Sequence, residues 1–519
     1  MSQTPQTLLP WSWGLGVGLL AAAWAAGPAW LQGGLVGAPA GEAVAHAWGL
    51  SVAAEGLWTH GPFVRVSELV GAPGGWRSDL VDPANTLMFA ILPTTAAWTL
   101  TLVGWIVAGA LGATALGRRL ALDRWSSLVL VAAWVLGPAL HGSWLPSGRS
   151  ELWPLLLWPA HLAALHGAVR GRRRDLGLAV VSLAAMAHGG WAPLLLLLPW
   201  QVVAGLMWSK DRAGLGRLVA VGAGAAVLCL PMLAVHLSVD PWWLARTSVP
   251  SPLDAQPLGT DVSGLLTGVP GPGVGDLGPA LAPVLWLAVL GRRRWFVLGA
   301  AMLVASAGPA VSLLGQDWWS PWAGVMHVVT PLRGLHGWPR IAQLAALPLG
   351  LGLAFAVHGR RKWAWLATGT LLVSMLLVGP GQRVDWPEAW PADGPVVDLV
   401  PRGASEPAVA ARQQAQADRV MVARWRAGVS TSLAPSTPLP DPLIQHSELA
   451  AGMWHAPRPV LPCPSSEVGR LHALGFRSVV LHDPDRLDTV RALLGDGSAE
   501  DGLWTWALDS TGIPPSGCP

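Results

Sequence analysis

The feature that most limits what this chain can become is the recurrence, over its first three quarters, of apolar runs long enough or nearly long enough to cross a bilayer. They lie at Trp11–Leu31, Thr95–Leu116, Ser126–Leu140, Leu152–Val169, Leu176–Ala187, Trp191–Met207, Leu218–Leu237, Leu277–Leu290, Trp295–Leu314, Ile341–Val357 and Trp363–Val378. Inside a bilayer each segment must pair its own backbone polar groups, so the chain reads as an all-α polytopic membrane protein of about 11 transmembrane helices. Only 12% of its residues are charged and its mean hydropathy is +0.45, against the roughly 25% charged residues of a soluble domain. Several runs fall below the ~20 residues of a full crossing, so their boundaries are soft and short neighbours fit re-entrant pairs.

Basic residues set the orientation. Alternate loops carry tight clusters: Arg118, Arg119 and Arg124; Arg170 and Arg172 to Arg174; Lys210, Arg212 and Arg217; Arg292 to Arg294; Arg360, Arg361 and Lys362. The loops between them hold only scattered arginines. Short basic loops stay cytoplasmic, which places the N-terminus inside and everything after Val378 outside. A net charge of +3 and a pI near 9.1 therefore reflect topology, and a nucleic-acid partner is not expected. The N-terminal stretch lacks a basic n-region and runs on without a cleavage site, so it reads as a retained first span.

The organisation that follows is a membrane domain over residues 1–378 and a soluble extracytoplasmic domain over 379–519. Two long outside loops, 32–94 and 238–276, are rich in Gly, Pro and Trp and are expected to lie as short helices and turns on the membrane surface. No internal repeat is visible, which disfavours an inverted-repeat transporter. Beyond Gly379, strands are expected at 395–400 and 477–482, with helices at 406–426, 467–474 and 486–494. That alternation suggests a small C-terminal α/β domain.

Candidate chemistry gathers in the outside loops, because acidic residues are nearly absent from the spans. Coupled transporters keep a carboxylate at mid-membrane, so this placement favours chemistry at the outer face. Glu42 and His46 lie one helical turn apart, with Trp48 close behind. A carboxylate beside an imidazole fits a general base or a contact to a divalent cation such as Mg or Mn. The same Glu42 also fits a helix first turn, where negative charge is favoured. The stretch Asp82-Pro83-Ala84-Asn85 reads as a helix start with Asp82 or Asn85 as the cap. Glu151 stands just before a span. Arg333 and Arg340 fit either a grip on a phosphate or an anchor to lipid headgroups. His60, His141, His188, His236 and His327 fall on or near the outer face without metal-ligand spacing. Cys229 lies in an apolar run as a small core residue, whereas Cys463 and Cys518 bracket the end of the outside domain and are expected to pair as a disulfide.

In their order these features resemble the GT-C class of polytopic membrane glycosyltransferases, in particular its poorly characterised bacterial members. The resemblance runs over the whole length. It rests on Gly41-Glu42 after the first span, Pro73-Gly74 and Asp82-Pro83-Ala84-Asn85 before the second, and Gly148 to Glu151 with Trp153-Pro154-Leu155 at the fourth. Pro331-Leu332-Arg333 and Pro339-Arg340 before the tenth, and the strand-like 474–482 of the outside domain, complete it. It implies a GT-C-like core in the bacterial inner membrane that takes a sugar from a polyprenyl-phosphate donor and passes it to a lipid, glycan or protein acceptor at the outer face. Glu42 then matches the acidic base or metal contact, with His46 orienting it. Arg333 and Arg340 match groups that meet the carrier phosphate, and Asp82, Glu151 and Trp48 are expected around the substrate. This chain carries Glu where the class more often carries Asp, and it has no Tyr. Two other readings are a non-catalytic GT-C-like scaffold in envelope assembly and a lipid or glycan transporter.

Overall fold

The architecture comes from a computed structural model that describes residues 8–38, 43, 46–47, 50, 53–54, 66–67, 76–77, 83–189, 191–209, 211–238, 260–261, 282–306, 310–313, 316–319, 343–384, 396–399, 478–481, 487–488, 491, 495–500 and 503–507. Every apolar run named above holds a helix. In chain order the α-helices, those outside the runs included, are α1 (Trp11–Gln32), the short α2 (Pro83–Phe89), α3 (Thr94–Arg119), α4 (Arg124–Val135), α5 (Leu145–Ser147), α6 (Trp158–Val169), α7 (Arg173–Gly189), α8 (Trp191–Trp208), α9 (Arg212–Ser238), α10 (Arg293–Ser306), α11 (Ala346–Ala356) and α12 (Arg361–Val378). A π-turn at Leu140–Trp144 joins α4 to α5, and 3-10 turns occupy Ser150–Leu157 before α6 and Pro283–Leu290 before α10. Among the described residues, five helical stretches are long and apolar enough to cross a membrane alone: 11–32, 94–119, 124–147, 150–169 and 212–232. The protein is a multi-pass membrane protein with a mainly helical fold.

Small residues explain how these helices approach one another. Gly14 and Gly18, one turn apart on α1, face Thr114 and Ala110 of α3, where a methyl group would lie 2.1 Å from Thr114 Oγ1 and 2.9 Å from Ala110 Cβ. Ala21, Ala22, Ala25 and Ala29 continue the buried stripe. Gly112 of α3 admits the backbone of α6, with Ala160 N 2.7 Å from where its Cβ would stand. In lipid, where apolar burial drives little helix association, such small-residue seams supply the contact area. Residues 126–146 are all buried, enclosed by α1, α3, α11 and α12, and form the centre of the bundle.

The two ends of the bundle are chemically unlike. At the end bearing the basic clusters, arginines satisfy orphan carbonyls: Arg118 Nη1 donates to Leu9 O (3.1 Å) and Arg217 Nη1 to Val169 O (3.1 Å). Arg119 Nη2 donates to both oxygens of the buried Asp175 at 2.6 Å, and Gly167 leaves room for that carboxylate. Asp123 caps α4 by accepting from Trp125 N and Ser126 N, and it also accepts from Gly359 N before α12. At the other end, β1 (Leu35–Val36) pairs antiparallel with β7 (Arg383–Val384). Trp24 Nε1 donates to Gly379 O at 2.9 Å beside this pair, so the first and last spans are clasped together.

Four expectations are corrected. The run at 295–314 does not stay helical: α10 ends at Ser306 and Ala310–Leu313 is a strand, because Gly308 and Pro309 disfavour continuation of a helix. The run at 126–140 extends instead to Ser147 through the π-turn. The helix start expected at 82–85 is present, but Asn85 is not its cap: it lies inside α2, which opens on Pro83, while the other cap candidate, Asp82, lies outside the described residues. The long outside loops are not only helices and turns. β2 (Val66–Ser67) pairs antiparallel with β3 (Trp76–Arg77), and β4 (Thr260–Asp261) pairs with β5 (Ala310–Leu313), which pairs with β6 (Gln316–Trp319).

The expected strands near 395 and 477 are present as β8 (Val396–Leu399) and β9 (Ser478–Leu481), and they pair in parallel. Parallel neighbours require a crossover, as the α/β reading needs. β10 (Ser498–Glu500) and β11 (Leu503–Ala507) complete a sheet of order β10-β11-β9-β8, with buried Val479, Leu481 and Trp506. The helices expected at 406–426 and 467–474 lie outside the described residues. Asp488 and Arg491 of the 486–494 helix are helical.

Candidate functional site

The clasped end of the bundle gathers three stretches that are far apart in sequence. The first follows β1. Ala43, His46, Ala47, Leu50 and Ala54 are helical and buried, at the i, i+3, i+4, i+7 and i+11 spacing of one helix face. Ala43 meets the corner at Gly148, which closes α5 with φ +64 in the left-handed region. A Cβ on Gly148 would stand 2.4 Å from Ala43 N and 2.6 Å from Ala43 Cα, so only glycine fits there. Ala38 N donates to Pro146 O at 2.8 Å and ties the chain entering this stretch to the same corner.

Beyond Gly148 the chain turns into the 3-10 stretch that begins at Ser150. Pro154, with no N–H to donate, falls within it. Ser150 joins the three stretches. Its hydroxyl lies 3.2 Å from His46 Nδ1, and its carbonyl accepts from Asn85 Nδ2 at 3.1 Å. Asn85 Oδ1 in turn accepts from Trp105 Nε1 of α3 at 2.6 Å. His46, Asn85 and Ser150 are all buried, and the half-buried Glu151 stands next in the first turn, where a helix start favours a carboxylate. The Ser150 hydroxyl can donate to Nδ1 or accept from it, so both neutral tautomers of His46 fit.

Tryptophans wall this corner. Trp98 packs edge-on against Trp153, with ring centroids 4.4 Å apart, and donates to Val36 O in β1 at 3.1 Å. Beneath it the π-turn carries a second polar group. His141 Nε2 donates to Val135 O at 2.9 Å, and the Gln343 amide donates to the Ser143 hydroxyl. Gln343 follows Arg340 by three residues, so this bond fastens the chain after the arginine stretch to the segment leading into Ser150.

His46 and Glu151, both singled out from sequence, thus lie on adjoining segments joined through Ser150, with Asn85 on the same residue. Glu42, Trp48, Asp82, Arg333, Arg340, Cys463 and Cys518 lie outside the described residues, as do His60 and His327. Cys229 is a free thiol, half-buried in α9. Sequence reasoning missed Ser150, Ser143 and Gln343. Ser150 sits inside the quoted Gly148–Glu151 stretch, and Gln343 is a lone amide in an apolar run, which was a usable signal. Among the described residues no three His, Cys, Asp or Glu side chains converge as a metal site.

No family model and no curated protein sequence matches this chain. Among solved structures, it is similar to the arabinofuranosyltransferase AftD from Mycobacteria over 98% of its length, at 16% identity and a TM-score of 0.50. The chain spans 40% of that protein's length. It also aligns with the oligosaccharyltransferase AglB from Archaeoglobus fulgidus, at 12% identity and a TM-score of 0.41, over 97% of this chain and 74% of that one. The likeness to AftD establishes a fold of the GT-C type.

Proposed function

We propose that this chain is a glycosyltransferase that moves a sugar from a polyprenyl-phosphate carrier to a lipid, glycan or protein acceptor at the outer face of the bacterial inner membrane. The observation that carries the proposal is the meeting of the His46, Asn85 and Glu151 segments at Ser150, at the end of the bundle away from the basic clusters. Buried hydrogen bonds that tie three distant segments to one residue hold polar groups in register, which is what positioning for transfer demands. The AftD and AglB structures are of enzymes that transfer sugars, and the second was determined with a dolichol-phosphate. Basic clusters gathered at one end support a cytoplasmic placement for that end. The site would then face outward, with the domain after residue 378 on the same side.

In the proposed reaction Glu42 accepts the proton of the acceptor hydroxyl as its oxygen attacks the anomeric carbon. The bond from that carbon to the carrier phosphate breaks with inversion, and the polyprenyl phosphate leaves. Arg333 and Arg340 offset the charge that grows on the departing phosphate. His46, held by Ser150, orients Glu42 across one helical turn, while Asp82, Glu151 and Trp48 bind the sugar. A divalent cation fits only if Glu42 and Asp82 complete a donor set with Glu151, because the described residues alone do not assemble one. When bound, it would supply positive charge beside the leaving phosphate.

The test is transfer of labelled sugar from a panel of polyprenyl-phosphate donors by purified protein in sealed proteoliposomes. Product on the face opposite the basic loops, located by cysteine labelling of those loops, supports the reading. Donors that neither bind nor turn over would overturn it in favour of a scaffold.

A further inference from the structure

We propose that α6, α7, α8 and α9 form a binding site for an anionic glycerophospholipid at the basic end of the bundle, remote from the Ser150 corner. The four helices enclose a cleft of about 240 Å³ whose lining includes Leu165, Leu183 and Leu198, with the imidazole of His161 and the amide of Gln201 as its polar elements. That volume is below the ~300–1,000 Å³ of a pocket for a whole small molecule, and it suits a segment of hydrocarbon chain. Val202 and Val219, on its rim, are 46% and 70% exposed, so the cleft opens sideways to the bilayer.

Gln201 identifies the ligand. It is only 3% exposed, and its Nε2 has no hydrogen-bond partner among the described residues. The nearby His161 is engaged on its other side, its Nδ1 lying 3.1 Å from both Ala179 O and Ser182 Oγ. A buried amide donor in an apolar cleft calls for an acceptor. Gln201 lies two turns before Trp208, the end of α8, or about 10 Å below the basic end at a rise of 1.5 Å per residue. At that depth a glycerophospholipid places ester carbonyls, with hydrocarbon below them and its headgroup above. A polyprenyl chain has no acceptor there.

The charge above the cleft matches an anionic headgroup. Arg170, Arg172, Arg173, Arg174 and Arg212 are exposed at the ends of these helices, and Arg217 is half-buried against Val169 O. The acidic neighbours are committed elsewhere: Asp175 is held by Arg119, and Asp211 accepts from Gly214 N at 2.7 Å. Basic side chains at a headgroup surface attract anionic lipid.

The experiment is native mass spectrometry of the full chain in mild detergent, titrated separately with phosphatidylglycerol, phosphatidylcholine and polyprenyl phosphate. The wild type should retain one phosphatidylglycerol in preference to the other two. Gln201→Leu should weaken that retention by about tenfold, the equivalent of one buried hydrogen bond. Gly222 lines the cleft, and a Cβ there meets nothing within 4 Å, so Gly222→Leu should block the site without disturbing the bundle. Arg172→Gln with Arg173→Gln should abolish the preference for phosphatidylglycerol over phosphatidylcholine. Unchanged retention in Gly222→Leu, or equal retention of polyprenyl phosphate, would overturn the assignment.

Discussion

Gly148→Ala measures how much of the site depends on a single backbone corner. Two costs add at this position. A left-handed φ of +64 costs an L-residue roughly 1–2 kcal/mol. The new methyl would also press on Ala43 N, Cβ and Cα at 2.4 to 2.6 Å, and forcing a carbon into packed backbone costs about 1–3 kcal/mol. The sum is about 2–5 kcal/mol, and part of it would be relieved by displacing the helical stretch that carries His46. Two other glycines separate the terms. Gly33 has φ +75 but nothing within 4 Å, so Gly33→Ala carries the backbone strain alone. Gly16, in α1, also has open space and an ordinary φ, so Gly16→Ala should be neutral or stabilising by up to ~1 kcal/mol. Unfolding of the purified variants in mild detergent, followed by the fluorescence of the 33 tryptophans, should rank Gly16→Ala highest, then Gly33→Ala, then Gly148→Ala. A Gly148→Ala midpoint at or above that of Gly33→Ala would refute the reasoning, because the contact with Ala43 would then carry no energy.

Three further outcomes follow from the described contacts. Asn85→Ala removes the amide that bonds both Ser150 O and Trp105 Nε1, and should cost about 1–3 kcal/mol; in a cycle with Trp105→Phe, a coupling near zero by the same melts would show that the 2.6 Å bond is not formed. Gly167→Ala should destabilise much as Asp175→Asn does, since its Cβ would lie 1.9 Å from Asp175 Oδ2 and displace the carboxylate from Arg119, and the double variant should be less than additive. For Asp123, burial raises the carboxyl pKa, but hydrogen bonds from Gly359 N, Ser126 N and Oγ, and Trp125 N outweigh it and hold the value below the usual 3.8. Its contribution to stability is therefore present above pH ~3.8 and lost as pH falls through the lowered value, and Asp123→Asn should remove that part of the acid dependence of the melting midpoint.

Much of this fold is legible in the sequence because lipid leaves few choices. Apolar length places the long helices in order, and Val-rich runs at 396–399 and 478–481 mark the strands. What was not legible has physical causes. Two-residue strands such as Leu35–Val36 and Arg383–Val384 carry no periodicity, and their pairing depends on where α1 and α12 end. The π-turn at Leu140–Trp144 keeps the chain helical past the expected boundary, because polar His141 and Ser143 find partners inside the bundle at Val135 O and Gln343. Asn85 looked like a cap because Asx residues before apolar runs usually are caps. Its actual partners, Ser150 O and Trp105 Nε1, are tertiary. Of the candidate site, His46 and Glu151 were found by residue type, whereas Ser150, which joins them, is an ordinary serine until the fold is known.

The most direct measurement of the central claim is release of polyprenyl phosphate from a polyprenyl-phosphate sugar by the purified protein, comparing wild type with Glu42→Gln at matched thermal stability. The account predicts acceptor-dependent release by the wild type and a loss of at least about a hundredfold in the variant, the usual scale for removing a general base. Equal release by both proteins would contradict the role of Glu42, and release by neither, with any donor, would contradict the reading of the Ser150 corner as a site of sugar transfer.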